Sequence, residues 1–206
     1  MIYLAAGNSR RFGTNKLLHV YRGKHLYRYG LDMLEELCYK RSDCILYVVS
    51  QYREILEQAK KGGVQVVYSP DSYKGMSYTI EAALHAVGDI PEEDFLVFVV
   101  ADQPGLTEYT VEKLLAAADF GVETASVRYG STPGSPTLFS ARLMPELLAL
   151  VSEEAFLHRW NISRKTYKHI HQRKAKRRTD NRKNSFVSFP VFRHHNIPPS
   201  SGVSIS

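Results

Sequence analysis

The sequence lacks the features that mark a membrane or secreted protein. Its longest uninterrupted apolar run, residues 95–101, has seven residues, whereas a membrane-spanning helix needs roughly 20. The chain starts directly with a short apolar segment, without the charged region and apolar core of a signal peptide. We therefore expect a soluble, cytoplasmic protein that makes no membrane contact, with one domain around one sizeable core.

Cysteine is scarce and is poorly placed for a redox or metal-binding function. Cys38 and Cys44 have five residues between them, which matches neither a Cys-x-x-Cys redox pair nor a zinc knuckle. We predict that both are ordinary reduced residues in or near the core.

Two common phosphate-binding motifs are also absent. The sequence has no Gly-Lys-Ser/Thr of a Walker loop, and the interval from Gly7 to Gly13 does not fit Gly-x-Gly-x-x-Gly. It also lacks a convincing Ser/His/Asp set for nucleophilic catalysis. The usual P-loop and dinucleotide-binding sites are therefore excluded.

Basic charge is confined to one end of the chain. Residues 1–150 carry 15 Lys and Arg against 18 Asp and Glu, a net charge of −3, while residues 151–206 carry 12 against 3, a net charge of +9. Because the excess of basic residues lies in residues 151–206, it gives no information about the binding partners of residues 1–150. We predict one folded domain over residues 1–152 and a basic tail over residues 153–206.

The most informative stretch is residues 3–16, which combines the apolar end of a strand, two glycines that bracket a loop, a serine hydroxyl between them and three cations. Its members are Leu4, Ala5, Ala6, Gly7, Ser9, Arg10, Arg11, Gly13 and Lys16. Glycine lets a ligand approach the loop backbone, and backbone amides, arginine forks and a lysine bind phosphate oxygens. The stretch therefore predicts a polyphosphate site.

Apolar periodicity predicts alternating strands and helices in residues 1–151. The predicted strands are residues 2–4, 45–49, 64–68, 95–101, 124–129 and 136–139, and the predicted helices are 26–37, 53–61, 80–87, 108–118 and 142–151. The first strand is short for a central one, so we expect that it begins frayed or that the native start lies upstream. The alternation predicts an α/β fold with a mostly parallel sheet covered on both faces.

In such a sheet the ligand lies beyond the carboxyl ends of the strands. Three predicted elements meet there: the loop of residues 7–16, the loop of residues 75–77, and Asp102, which follows the longest apolar strand. An exposed carboxylate in this position suits Mg²⁺, which takes one or two protein carboxylates and completes its shell with water and phosphates. We therefore predict Asp102 as a metal ligand.

These motifs resemble those of the MobA-like NTP transferases, and within that family they are most similar to the molybdenum cofactor cytidylyltransferases. Leu4, Ala5, Ala6, Gly7, Ser9, Arg11, Gly13 and Lys16 fill the pattern Leu-Ala-Ala-Gly-x-Ser-x-Arg-x-Gly-x-x-Lys. Gly75-Met76-Ser77 looks like a family segment near the nucleoside, with Thr79 where serine is usual. Residues 134–139 resemble a Gly-x-Pro-x-x-Phe segment that borders the second substrate.

The resemblance implies a three-layer, Rossmann-like nucleotidyltransferase fold of the GT-A-like kind. It implies transfer of CMP from CTP, or of another NTP's nucleotidyl group, to the terminal phosphate of molybdopterin, with release of pyrophosphate. Arg11, Lys16 and Asp102 would be catalytic, Mg²⁺ would lie on Asp102, and the loop would bind the nucleotide together with Gly75 and Ser77. Ser77 would otherwise cap the helix that follows. A molybdoenzyme in maturation is the protein partner that this implies.

The resemblance ends near residue 150. The family continues with a Gly-Asp-x-Gly segment whose aspartate completes the metal site, and here Glu153 and Glu154 are the acids nearest that position. Charge runs without apolar periodicity predict a disordered tail. An RNA- or DNA-binding arm and a frameshifted carboxyl terminus are the other two explanations.

Two alternatives to the cytidylyltransferase hypothesis stay open at this point. One is a guanylyl- or sugar-phosphate nucleotidyltransferase, which would use the same phosphate loop and metal. The other is a catalytically weakened protein that binds nucleotides, or binds nucleic acid through its tail.

Overall fold

The fold is organised around one sheet in the computed structural model, which describes residues 1–8, 13, 15–119, 121–129, 132–152 and 187–190. The strands are β1 (Ile2–Leu4), β2 (Val20–Tyr21), β3 (Lys24–His25), β4 (Tyr47–Ser50), β5 (Gln65–Tyr68), β6 (Phe95–Val100), β7 (Thr124–Tyr129), β8 (Thr132–Ser140) and β9 (Val187–Pro190). The helices are α1 (Leu26–Lys40), α2 (Arg53–Lys61), α3 (Met76–Val87), α4 (Glu108–Leu115) and α5 (Met144–Ser152). Short 3-10 turns cover Lys16–Leu18, Pro70–Tyr73 and Ala141–Leu143.

The main sheet has seven strands in the order β5-β4-β1-β6-β8-β7-β9. β1 pairs in parallel with both β4 and β6, and β4 pairs in parallel with β5. β8 runs antiparallel to β6 and β7, and β9 pairs in parallel with β7. The predicted α/β fold with a mostly parallel sheet is confirmed.

Side chains of the central strands alternate between two apolar cores, because successive residues of a strand point to opposite faces. Tyr3 and Val97 pack on one face with residues of α1, α2 and α4. Ile2 and Phe98 pack on the other face with residues of α3 and α5. Helices therefore cover both faces, and the three-layer arrangement holds β1 and β6 at its centre.

A buried hydroxyl ties β1 to α1 and to the residue after β6. The Tyr3 hydroxyl donates to the Tyr27 carbonyl at 2.6 Å and lies 3.4 Å from the Ala101 carbonyl oxygen. Burial, and next the negative charge of Asp102, raise the pKa of this phenol above its usual value. A Cβ on Gly30 would lie only 2.7 Å from the Tyr3 hydroxyl oxygen, so α1 packs this close because residue 30 has no side chain.

Several element boundaries differ from the predictions: α1 ends at Lys40 instead of residue 37, and α3 begins at Met76 instead of residue 80. Three other parts of the chain differ as well. The predicted strands do not include residues 20–25, which form a small hairpin of β2 and β3 that turns through Arg22 and Gly23, both at positive φ. The helix predicted to reach residue 118 ends at Leu115. Helix ends commonly differ by a residue or two between methods, and this one differs by three.

The third difference concerns β8, which extends well beyond the strand predicted at residues 136–139 and lies between β6 and β7. Proline normally marks an edge strand, because it has no N–H for the ladder. Here the ladder from β6 reaches Phe98 opposite Thr137. The N–H of Val100 then donates to the Ser135 hydroxyl at 3.0 Å. Beside Pro136, a side-chain hydroxyl therefore accepts the bond in place of a backbone carbonyl.

Beyond residue 152 the structure describes only β9. The predictions for Glu153, Glu154 and the basic runs fall in residues 153–186 and 191–206, outside the described residues. The domain boundary at residue 152 stays a prediction, and β9 is a described element beyond it. Within the described ranges, no helix is both long enough and apolar enough to pass through a bilayer.

We expect Gly30→Ala to lower the free energy of unfolding by about 1–3 kcal/mol, the usual cost of forcing extra volume into a packed core. Alanine's better helix propensity, about 1 kcal/mol over glycine, offsets only part of the clash with Tyr3. Gly105→Ala is the control, because a Cβ there meets no atom within 4 Å. Urea denaturation measures both variants, and equal stabilities would contradict the packing argument.

Candidate functional site

The candidate site lies at the carboxyl ends of β1 and β6, which are neighbours in the sheet. Their register pairs Leu4 with Val100, and a 3.1 Å bond from the Ala101 N–H to the Leu4 carbonyl extends the pairing by one step. From there the chain enters the glycine loop, residues 7–16, on one side and reaches Asp102 on the other. Since neighbouring strands lie about 5 Å apart, the two predicted elements start side by side.

Lys16 and Asp102 are in contact at this edge. Lys16 Nζ lies 3.2 Å from Asp102 Oδ2, and the two side chains are 42% and 48% exposed. The 3-10 turn fixes the lysine, because Asn15 Oδ1 accepts from the Leu17 N–H at 3.0 Å and the Leu17 side chain is buried. An exposed ion pair contributes at most about 1 kcal/mol to stability. The pair therefore matters chiefly because it places a cation and a carboxylate together in front of the strand ends.

Asp102 is the carboxylate that this edge offers to a metal ion. It follows the buried Ala101 and is itself exposed. In the part of the chain that the structure describes, no three His, Cys, Asp or Glu side chains form a metal-binding group. A single carboxylate fits a hard cation such as Mg²⁺, which takes most of its ligands from phosphate and water. It does not fit a structural metal held by four protein side chains.

Three consecutive residues at the end of β4 hold the start of the glycine loop. Each donates a side-chain hydrogen bond to one backbone carbonyl of residues 5–7. The pairs are Ser50 Oγ with Ala5 O at 2.6 Å, Gln51 Nε2 with Ala6 O at 2.7 Å, and Tyr52 Oη with Gly7 O at 3.1 Å. Sequence reasoning missed these residues, although polar side chains directly after a buried strand are the same signal that identified Asp102.

The predicted strand end is buried, so its residues serve the site through their backbone. Leu4, Ala5 and Ala6 are at most 2% exposed and present no side chain to a ligand. Gly7 is where the backbone becomes accessible, because a Cβ there would meet no atom of the described residues within 4 Å. This open space is what the glycine pattern predicted.

Only part of the glycine loop is described. Gly13 has a φ of 73°, in the left-handed region that favours glycine. Ser9, Arg10 and Arg11 lie outside the described residues. Their phosphate contacts therefore stay predictions.

Asn8 links the glycine loop to the segment that precedes α3. Its Oδ1 accepts from Gln51 Nε2 at 2.6 Å. Its Nδ2 donates to the Ser72 carbonyl at 3.5 Å, and more closely to the Tyr73 carbonyl. One asparagine thus joins the glycine loop to the turn that leads into the predicted loop of residues 75–77.

The start of α3 leaves polar groups available. Gly75 is the N-cap residue and no side chain caps the helix, so the capping alternative for Ser77 is wrong. Ser77 is 2% exposed, and its hydroxyl finds no hydrogen-bond partner among the described residues. A Cβ on Gly75 would lie 3.7 Å from that hydroxyl oxygen. The backbone N–H groups in the first turn of α3 and the buried Ser77 hydroxyl therefore lie together beside Gly75, which has no side chain.

A chain of buried hydroxyls fastens the Pro70–Tyr73 turn to α3. Thr79 Oγ1 donates to Ser72 Oγ at 2.8 Å, and Ser72 Oγ donates to Ser69 Oγ at 2.8 Å. Ser69 Oγ in turn donates to the Tyr78 carbonyl at 3.3 Å. Thr79, which departs from the serine usual in the family motif, has a structural partner here and is 1% exposed.

The motif at residues 134–139 belongs to β8 and reaches the same edge of the sheet. Because β8 runs antiparallel to β6, Ser135 lies opposite Val100 and Gly134 lies next to it toward the site. By contrast, a cavity of about 420 Å³ lined by Met1, Ile45 and Phe95 lies at the amino ends of the strands. That cavity contains none of the predicted site residues.

Comparison with known proteins gives a family match and several relatives. A family model described as the MobA-like NTP transferase domain matches residues 1–170. The purine catabolism protein PucB of Bacillus subtilis (strain 168) is 27% identical over 163 residues, which cover 74% of this chain and 76% of that protein.

Two solved structures show the same fold. Rv0371c of Mycobacterium tuberculosis H37Rv, in complex with manganese, has a TM-score of 0.60 and 19% identity, over 92% of this chain and 86% of that one. Molybdopterin-guanine dinucleotide biosynthesis protein A of Archaeoglobus fulgidus has a TM-score of 0.57 and 16% identity, over 92% of this chain and 82% of that one. At these identities the likeness concerns the fold.

We expect Ser72→Ala to lower the free energy of unfolding by about 1–3 kcal/mol, because it removes the acceptor of the buried Thr79 hydroxyl. Thr110→Val is the matched control: its hydroxyl pairs with that of Thr107 at 2.9 Å but is solvent-exposed, so water replaces the lost bond. That control should change stability by less than about 0.5 kcal/mol. Thermal unfolding compares the two, and a Ser72→Ala effect no larger than the control's would show that the hydroxyl chain does not hold the turn.

Proposed function

Because the chain belongs to the MobA-like NTP transferase family, a family of nucleotidyltransferases, we propose that it transfers CMP from CTP to the terminal phosphate of a molybdopterin-type acceptor. The observation that carries the proposal is the 3.2 Å contact between Lys16 and Asp102. It puts an ammonium group, which suits phosphate oxygens, and a carboxylate, which suits a divalent cation, in front of the same two strands, beside the glycine loop.

The proposed reaction exchanges one phosphorus–oxygen bond for another. An oxygen of the acceptor's phosphate monoester forms a bond to the α-phosphorus of the nucleotide. The bond from that phosphorus to the oxygen bridging to the β-phosphate breaks, and its electron pair leaves with pyrophosphate. A phosphate monoester has a second pKa of about 6, so the nucleophile is mostly dianionic at neutral pH. The site then needs no general base.

What the site must supply is neutralisation of crowded negative charge and an in-line approach. Lys16 would bind oxygens of the departing pyrophosphate together with amides of the glycine loop. Ser9 and Arg11 would hold further phosphate oxygens, which an arginine fork binds two at a time.

Asp102 would hold the divalent cation, which we propose to be Mg²⁺. When bound, the cation supplies Lewis-acid neutralisation of the nucleotide phosphates. The manganese in the complex of Rv0371c is consistent with a divalent cation in this fold. The carboxylate and Lys16 together keep the charges of the site paired before substrate arrives.

The nucleoside would lie toward the start of α3. The unpartnered Ser77 hydroxyl, as judged among the described residues, suits a ribose or base oxygen, and Gly75 leaves the backbone open to it. The likeness of the sequence motifs, among them Gly75-Met76-Ser77, to those of the molybdenum cofactor cytidylyltransferases favours CTP. Guanylyl transfer is the second candidate, because the Archaeoglobus neighbour is named for a guanine dinucleotide.

We expect Lys16→Ala and Asp102→Asn each to lower CTP-dependent pyrophosphate release about 100-fold with Mg²⁺ present, the usual effect of losing one electrostatic stabiliser of the transition state. The matched control is Lys40→Ala. Lys40 Nζ lies 3.1 Å from Glu108 Oε1 with comparable exposure, but that pair joins α1 to α4. Full activity in either site variant would remove the phosphate and metal assignments, whereas the control should keep wild-type activity.

We expect calorimetric titration with Mg²⁺ present to give a dissociation constant for CTP at least tenfold lower than those for GTP and UTP. The comparison uses one protein preparation and three nucleotides that differ only in the base. Tighter binding of GTP would replace the cytidylyl proposal with the guanylyl one and leave the phosphate site as described.

A further inference from the structure

Two side-chain amides form a bridge across the candidate site. Gln51 Nε2 donates to both the Ala6 carbonyl, at 2.7 Å, and Asn8 Oδ1, at 2.6 Å. Asn8 Nδ2 then donates to the carbonyls of Ser72 and Tyr73. The amide bridge, Gln51 with Asn8, thus runs from the end of β4 through the glycine loop to the turn before α3.

The other anchors of the loop do not extend this far. Ser50 Oγ reaches the Ala5 carbonyl and accepts from the Tyr52 N–H at 3.0 Å, and the Tyr52 hydroxyl reaches the Gly7 carbonyl. These bonds hold the loop to β4 alone. Within the described ranges, the hydrogen bonds that join the loop to the Pro70–Tyr73 turn come from Asn8.

The far end of the bridge is stiff. Ser72 donates to Ser69 and accepts from Thr79, which lies inside α3, and all three side chains are at most 3% exposed. A shift of the turn therefore moves the first turn of α3 with it, including Gly75 and Ser77. Asn8 therefore contributes to the separation between the glycine loop and the start of α3.

We propose that Asn8, oriented by Gln51, is a positioning residue that sets the distance between the two segments that bind opposite ends of one nucleotide. The inference rests on the proposed function, in which the glycine loop holds the triphosphate and the start of α3 holds the nucleoside. If the glycine loop and the start of α3 are already at the right separation before the nucleotide binds, less conformational entropy is lost on binding and the affinity is higher. Asparagine occupies an unspecified position of the glycine-loop motif, so the motif itself does not predict this role.

The proposal distinguishes two kinds of ligand. In the proposed site, tripolyphosphate reaches the glycine loop and the cation that Asp102 would hold, but not the start of α3, so its affinity does not depend on where α3 begins. CTP contacts both segments and does depend on it. General disruption of the loop would weaken both ligands together.

The test is titration of the full chain with CTP and with tripolyphosphate, each with Mg²⁺. We expect Asn8→Ala to raise the dissociation constant of CTP about tenfold, the scale of one or two lost hydrogen bonds, and that of tripolyphosphate less than twofold. Asn8→Leu is close in size and loses the donor to the Tyr73 carbonyl without adding a charge beside the phosphates, so it should behave alike. In steady-state assays KM for CTP should rise more than kcat falls.

Tyr52→Phe is the matched control, because it removes a bond that holds the loop to β4 without touching the Pro70–Tyr73 turn. It should change the two dissociation constants in parallel. If wild type binds GTP and not CTP, GTP replaces CTP in the same comparison. Thermal unfolding verifies that each variant is folded.

Two different results would contradict the proposed function and the positioning role of Asn8. A wild-type chain that binds no nucleoside triphosphate overturns the proposed function and this inference with it. A wild-type chain that binds CTP, with Asn8 variants that weaken both ligands equally or neither, overturns the positioning role and leaves the proposed function standing.

Discussion

The parallel pairing of β1 with β6 is the contact on which the candidate site depends. It brings Lys16 to Asp102 although 86 positions of chain separate them, and it does so with a first strand of only three residues. So short a strand contributes few ladder bonds of its own. The Tyr3 hydroxyl, bonded to α1 and close to the Ala101 carbonyl, adds a buried tie directly behind the site, and Gly30 makes room for it.

The site separates the groups that fix its shape from the groups that carry its charge. Neutral side chains at the end of β4, together with Asn8, hold the loop backbone through short hydrogen bonds. The charged pair, Lys16 and Asp102, stays about half exposed. Burying two charges costs several kcal/mol each before any attraction is regained, whereas a neutral hydroxyl or amide with a partner is buried cheaply. Exposed charges also remain available to phosphates and a cation.

The sequence predicted the layers and the edge of the sheet where the site lies, because apolar periodicity and glycine placement are local signals. Asp102 was identifiable since a lone carboxylate follows a long buried strand.

Ser50, Gln51 and Tyr52 carry a similar signal but act on the backbone of another segment, so only the strand order shows what they bond. For Ser77 the sequence allowed more than one role. A serine can cap a helix, but the N-cap residue of α3 is Gly75 and Ser77 lies inside the helix. β8 was underpredicted because Pro136 normally argues against a central strand, and the Ser135 hydroxyl that compensates is visible only in three dimensions.

The dependence of the site on β1 has a consequence for how the protein acquires it during folding. The two strands that flank β1, which are β4 and β6, lie far from it along the chain. The long segments between them must close, at a cost in conformational entropy, before the stabilising strand contacts can form. High contact order of this kind slows folding, and among the described residues no hairpin or helix pair that is local in sequence contains both halves of the candidate site. The binding surface should therefore become competent at the same moment as the central sheet closes, late in the kinetic sequence rather than on a preformed subdomain.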